Sequence, residues 1–172
     1  MVWKSLLMAL GVASLCFIMG ALSAPLAAER QSEGYASLRG ITNVKSVFDF
    51  RIADSKSAAL HLSVIRRTCA DQALVTGKQK PVFALVFSGP SVKLLSQKRE
   101  GLTPEEAKLR DDIAQHVAAL FKDGIRLEVC QIALGLLGVD TATILPELNL
   151  VGNGFISLIG YGKQGYVSVP VY

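Results

Sequence analysis

The residue in this chain with a clear physical route to chemistry is the cysteine of Ile-Arg-Leu-Glu-Val-Cys-Gln-Ile-Ala-Leu-Gly-Leu-Leu-Gly-Val, residues 125–139. Residues 125–129 alternate apolar and charged side chains, the period of a strand. From Gln131 onward, Ile132, Leu134, Leu136 and Leu137 suit a short buried helix closed by Gly138. Cys130 sits at the seam. A thiol between the carboxyl end of a strand and the first turn of a helix lies near unpaired backbone N–H groups and the positive end of the helix dipole. Both favour thiolate over thiol. The competing reading is a small apolar side chain filling the core, the usual fate of a free cysteine.

Two other segments could share an edge with Cys130. Ser88-Gly89-Pro90 follows an apolar run, and Gly152-Asn153-Gly154 follows a short one. Glycines there permit close backbone approach, and helix starts after such loops offer N–H groups to an anion. Ser88, Gly89, Gly152, Asn153 and Gly154 are therefore candidate ligand-binding residues, although the last three also read as a plain turn. The spacings match neither a phosphate loop nor a dinucleotide fingerprint. Ser88 lacks a nucleophile-elbow pattern. His61 and His116 have no ligand-type neighbours at metal spacing, so no metal site is expected, and nothing in the motifs calls for a cofactor. Cys69 falls on an apolar helical stripe with Ala58, Leu62 and Ile65 and reads as core. A Cys69–Cys130 disulfide stays open as a further reading in an oxidising compartment.

The composition bounds what such a site can serve. With 172 residues, 51% of them hydrophobic and 19% charged, the chain is long enough for one domain with a real core and too apolar for disorder. The formal charge is +4; Lys4 is the one charged residue before Glu29, so the rest of the chain carries +3. Its basic residues are scattered, with Arg66-Arg67 and Lys98-Arg99 the densest pairs, and no aromatics interleave with them. Nucleic-acid binding is not expected.

The N-terminus reads as an export signal. Lys4 supplies the positive charge, residues 5–22 are apolar, and residues 21–28 hold the small side chains of a cleavage site, expected after Ala28 with Ser23 as the alternative. The apolar stretch is at the lower limit for spanning a bilayer, so retention as an anchor is the alternative and the only expected membrane contact. Either way the remaining chain lies outside the cytoplasm, most simply in a bacterial periplasm.

Residues 29–43 are polar and aperiodic and read as a flexible arm, followed by a domain over residues 44–172. Strands are expected over residues 44–53, 82–87, 125–130, 148–151 and 166–171. Helices are expected over 55–75, 91–97, 104–122, 131–138 and 155–161, with a short helical piece near 140–145. Asp54 and Thr103 are N-cap residues, and Pro104 with Glu106 completes a capping-box pattern. Residues 82–87 form a continuous apolar run, as expected for a strand buried on both faces. Pro170 points to an edge strand. Alternating strands and helices imply a three-layer α/β/α sandwich with a mostly parallel sheet of about five strands. In such sheets ligands bind beyond the carboxyl ends of the strands, where Ser88, Cys130 and Gly152 would gather.

Three segments in order carry a family resemblance: residues 82–95 (Val-Phe-Ala-Leu-Val-Phe-Ser-Gly-Pro-Ser-Val-Lys-Leu-Leu), residues 124–139 with their Val-Cys dipeptide and Gly-Val close, and the glycine-rich tail from Val151. Over residues 44–172 the chain resembles the DsrE/DsrF-like sulfur-relay proteins, and its tail is similar to that of exported members. The resemblance implies a DsrEFH-like or flavodoxin-like α/β/α sandwich assembled as a homo-oligomer, a trimer or hexamer. It also implies that Cys130, matching the relay cysteine, carries sulfane sulfur as a persulfide between a small sulfur donor and an acceptor thiol on a partner protein. A non-enzymatic module binding a small anion or a partner is the alternative. A structural oligomer packing residues 155–161 between subunits is a third.

Overall fold

The computed structural model describes residues 34–76 and 79–172. The expected export signal, residues 29–33 of the arm and Gly77-Lys78 of the expected turn lie outside them. Residues 34–43 hold one short 3-10 turn, Ala36–Leu38. Among the described residues no helix is long and apolar enough to cross a membrane.

Among the described residues five strands form one sheet: β1 (Lys45–Phe50), β2 (Val82–Phe87), β3 (Arg126–Cys130), β4 (Asn149–Val151) and β5 (Val167–Val171). The sheet order is β4-β3-β2-β1-β5, and every pair is parallel. The strands are connected by the α-helices α1 (Ser55–Cys69), α2 (Pro104–Lys122), α3 (Gln131–Leu136) and α4 (Gly154–Lys163). The short helix expected over 91–97 is a 3-10 helix, Gly89–Leu95, that starts directly after Ser88. Helix α1 stops at Cys69 rather than Val75, because Asp71 starts a new 3-10 turn, accepting from the Ala73 N–H at 2.9 Å.

The strand order explains the layering. From β1 to β4 the chain steps one way across the sheet, and right-handed crossovers then put α1, α2 and α3 on one face. Between β4 and β5 the direction reverses, which puts α4 on the other. The packing agrees. Phe48, Phe50, Leu85, Phe87, Leu127 and Val129 bury against α1, α2 and α3, while Val47, Ala84 and Val86 bury with Tyr161 of α4. Central strands covered on both sides show continuous burial instead of alternation, as in Phe83 to Phe87. Among the described residues β5 pairs with β1 alone, and as an edge strand it tolerates Pro170.

The helix caps form largely as the sequence signals them. Asp54 accepts from the Ser57 N–H at 2.7 Å, and the Thr103 hydroxyl oxygen accepts from the Glu106 N–H at 3.2 Å. Glu106 does not close a capping box, however. Its Oε1 accepts from the Ser55 hydroxyl at 2.6 Å and from Arg110 Nε at 3.1 Å, tying the start of α1 to α2.

Candidate functional site

Parallel register sets the site. Phe50 pairs with Phe87, and Phe87 with Val129. One residue further, Arg51, Ser88 and Cys130 form a row across the carboxyl ends of β1, β2 and β3, on the face that carries α4. With strands about 4.8 Å apart, the Cα atoms of Arg51 and Cys130 are about 10 Å from each other. This is the edge where open α/β sheets bind ligands.

Cys130 is 6% exposed and lines a cavity of about 340 Å³ bounded on the sheet side by Arg51, Ser88, Gly89 and Pro90. Its far walls are Ile132, Ala133 and Leu136 of α3 and Leu137 just after it, with Asn153 and Phe155 from the start of α4. The cysteine occupies the N-cap position of α3, as the seam in the sequence indicates, but makes no side-chain cap bond. The helix has only six residues, and the Ile132 N–H at its second position donates to the Gly152 carbonyl at 3.3 Å. The amides that the sequence reading offers to a thiolate are thus partly committed to holding the β4–α4 turn.

That turn sorts its three candidate residues. Asn153 lines the cavity and caps α4, its Oδ1 accepting from the Phe155 N–H at 2.9 Å. Gly154 is buried against the cysteine; a Cβ there would sit 3.2 Å from the Cys130 Cβ and 3.4 Å from Val86 Cγ1. Absence of a side chain is what lets α4 seat directly over Cys130. Gly152 is exposed and does not line the cavity; its contribution is the carbonyl that braces α3. On the opposite side, Gly89 adopts φ +56°, a left-handed conformation that glycine takes without strain, and so turns the chain from β2 into its 3-10 helix. Ser88 is buried: its N–H donates to the Phe50 carbonyl at 3.1 Å and its hydroxyl to Asp49 Oδ1 at 3.3 Å.

Asp49 and Arg51 are the residues that sequence reasoning missed. Asp49 sits in β1 with its side chain 6% exposed, gripped by Arg51 through Nε to Oδ1 at 3.0 Å and Nη2 to Oδ2 at 2.8 Å. Tyr172 also donates to Oδ2 at 3.3 Å. The guanidinium lies 5.2 Å from the Phe155 ring centroid and 5.5 Å from that of Tyr172, a cation held between two aromatic faces. Its hydrogen bond to Asp49 raises Arg51 above the usual arginine value. The signal was available: a carboxylate inside Val-Phe-Asp-Phe, with an arginine two residues later on the same strand face, is anomalous in a buried strand.

The remaining candidates fall elsewhere. Cys69 and Cys130 are both free. Cys69 lies at the opposite end of the sheet, beside Asp123 and Ile125, which precludes the disulfide considered from sequence. Burial pushes the Cys69 thiol up to about 12, with the Asp123 charge adding to the effect, so it is a core thiol. His61 accepts or donates within its own helix, to the Ser57 carbonyl at 2.8 Å. Among the described residues no three His, Cys, Asp or Glu side chains converge as a metal site would require.

A family model described as the DsrE/DsrF-like family matches residues 51–169. The chain belongs to that family. Among solved structures, the protein of unknown function MTH1491 from Methanobacterium thermoautotrophicum is similar, at 19% identity and a TM-score of 0.57, covering 74% of this chain and 99% of that one. The ychN protein from E. coli is 13% identical with a TM-score of 0.49, covering 75% of this chain and 99% of its own. No curated protein matches the chain. The likeness to MTH1491 is one of fold, which here is the α/β architecture of the DsrE/DsrF-like family. Arg51, Ser88, Cys130 and Asn153 fall inside the segment matched by the DsrE/DsrF-like model, whereas Asp49 and Tyr172, which hold Arg51 in place, fall outside it.

Proposed function

We infer that the protein is a sulfur carrier of the sulfur-relay type, with Cys130 as the carrying residue. The Cys130 thiolate attacks a sulfane-sulfur donor, keeps the terminal sulfur as a persulfide, and releases it to an acceptor thiol on a partner protein. The observation that carries this reading is Cys130 on the lining of a cavity at the carboxyl edge of a DsrE/DsrF-like sheet, with Arg51 in the same row. Such a cysteine has space beside it for a donor, which a core cysteine lacks. In this reading the chain acts in a periplasm, delivered by the export signal over residues 1–28, and works as a homo-oligomer, a trimer or hexamer. The exposed apolar residues Phe155, Ile156 and Ile159 of α4 suit a face between subunits.

Intact-mass spectrometry before and after polysulfide treatment tests the central claim. A reductant-sensitive gain of one sulfur mass that disappears in Cys130→Ser supports it; loading that survives Cys130→Ser refutes the site. A second reading, a non-covalent binding module, draws on the near-complete burial of Cys130 and the apolar cavity wall. It requires ligand binding that is indifferent to Cys130→Ser, with no sulfur gained.

A further inference from the structure

The cavity over Cys130 is mostly apolar. Ile132, Ala133, Leu136, Leu137 and Phe155 contribute apolar surface to it, and among the described residues Arg51 is the charged one on the lining. At about 340 Å³ the space takes a ring or a short chain, which is more than a bare sulfur oxyanion needs. An inorganic dianion would lose its hydration against this wall and gain nothing from it. Arg51 is not used up by Asp49. The pair takes one hydrogen each from Nε and Nη2, and Nη1 has no partner among the described residues. A guanidinium so fixed presents its remaining N–H groups as a preset fork for an oxyanion. The strand row puts that fork and the thiol about 10 Å apart at their Cα atoms. A ligand that fits all three features has its reactive sulfur at Cys130, oxygen atoms at Arg51 and an apolar body on the α3 wall.

We propose that the donor is a small organosulfur anion with an apolar body, of the organic thiosulfonate class (R–SO2–S⁻), in preference to an inorganic sulfur oxyanion. This rests on the sulfur-carrier reading of Cys130. In the step itself the Cys130 thiol first gives its proton to solvent. The thiolate then attacks the terminal sulfur, forming a new S–S bond as the bond between that sulfur and the sulfonyl sulfur breaks. The electron pair leaves on the sulfinate, R–SO2⁻, and Cys130 keeps the sulfur as Cys–S–S⁻. Two negative charges enter and two remain, and no outside oxidant or reductant takes part.

The test compares benzenethiosulfonate with thiosulfate on the full chain, reading persulfide on Cys130 by mass and sulfinate or sulfite released. Each rate is divided by that donor's rate with free cysteine, which removes intrinsic reactivity. The normalised rate for benzenethiosulfonate is expected to exceed that for thiosulfate at least tenfold. Ile132 and Leu136 are 51% and 81% exposed, so Ile132→Ser/Leu136→Ser strips the wall without opening the core. In that variant the advantage is expected to fall below threefold. Equal normalised rates, or an advantage that survives the loss of the wall, would overturn the donor class and leave the carrier reading intact. If benzenethiosulfonate, thiosulfate and polysulfide all fail to load Cys130, the carrier reading falls and the donor class falls with it.

Discussion

Replacing Arg51 with alanine should destabilise the protein in a way that betrays the buried charge it leaves behind. Asp49 keeps its place in β1, where its side chain is 6% exposed, and loses both charge-assisted bonds at 2.8 and 3.0 Å. Breaking a fully buried ion pair from one side costs about 3–5 kcal/mol. Here the arginine side chain is 34% exposed, so water enters part of its place, and the Ser88 and Tyr172 hydroxyls still donate to the carboxylate at 3.3 Å. These offsets bring the expected loss to about 2–3 kcal/mol at pH 7. For a domain of this size that is a fall in Tm of about 6–10 °C. Urea unfolding followed by circular dichroism measures it directly.

Removing the carboxylate as well separates a stranded charge from lost packing. Without Arg51, Asp49 is a buried carboxylate with no cation beside it. Asp49→Asn/Arg51→Ala, with no charge to strand, should recover most of the loss at pH 7. A loss below about 0.5 kcal/mol, or one not relieved by Asp49→Asn, would refute the account of the pair as a buried charge and its clamp.

Gly154→Ala should cost about 1–3 kcal/mol by urea unfolding, since its Cβ would press on the Cys130 Cβ at 3.2 Å and Val86 at 3.4 Å; it should also slow alkylation of Cys130, read by peptide mass mapping. Native Cys69 should stay unmodified by iodoacetamide at pH 8, because burial holds its thiol near 12. Ser55→Ala should lose about 1 kcal/mol at pH 7. The Ser55 hydroxyl is the main cause that lowers Glu106 below the usual carboxylate value, followed by Arg110 against an opposing burial effect. A depressed folded pKa contributes stability above the unfolded value of about 4.3 that fades as pH falls through the folded one. The difference between Ser55→Ala and the parent should therefore vanish in acid, as thermal unfolding across pH 2–7 would show.

Much of the fold was legible because its signals are local. The apolar run of residues 82–87, the Asp54 and Thr103 caps and the Pro170 edge each report on a few neighbouring residues, and each appears where the pattern put it. What local pattern does not carry is competition between partners. Glu106 at the third helical position has capping-box chemistry, yet the Ser55 hydroxyl from another helix wins it. The apolar stripe of Ala58, Leu62, Ile65 and Cys69 does not tell where the expected 55–75 helix stops, and Asp71 ends it early with a side-chain bond to the Ala73 N–H. Strand order was not readable at all, since it depends on which way each crossover steps. That order is nevertheless what sends α4 to the second face.

The site shows the same division more sharply. Cys130, Ser88, Gly89 and Asn153 line one cavity because loops at the carboxyl ends of parallel strands must meet at one edge, whatever the order of the strands. Asp49, Arg51 and Tyr172 were missed because their meaning lies in register. Phe50 aligned with Phe87, and Phe87 with Val129, are what place Arg51 in the Cys130 row. The reversal after β4 then seats Phe155 beneath the guanidinium and Gly154 against the cysteine. A thiol at this edge without Asp49 and Tyr172 would have a free arginine, mobile and hydrated, as its neighbour. With them the arginine is oriented before any ligand arrives, and the entropy of fixing that long side chain is already spent in folding. The buried carboxylate fixes the direction of the Arg51 guanidinium, so in the proposed sulfur-carrier reading its removal should weaken recognition of an anionic donor even where the fold survives.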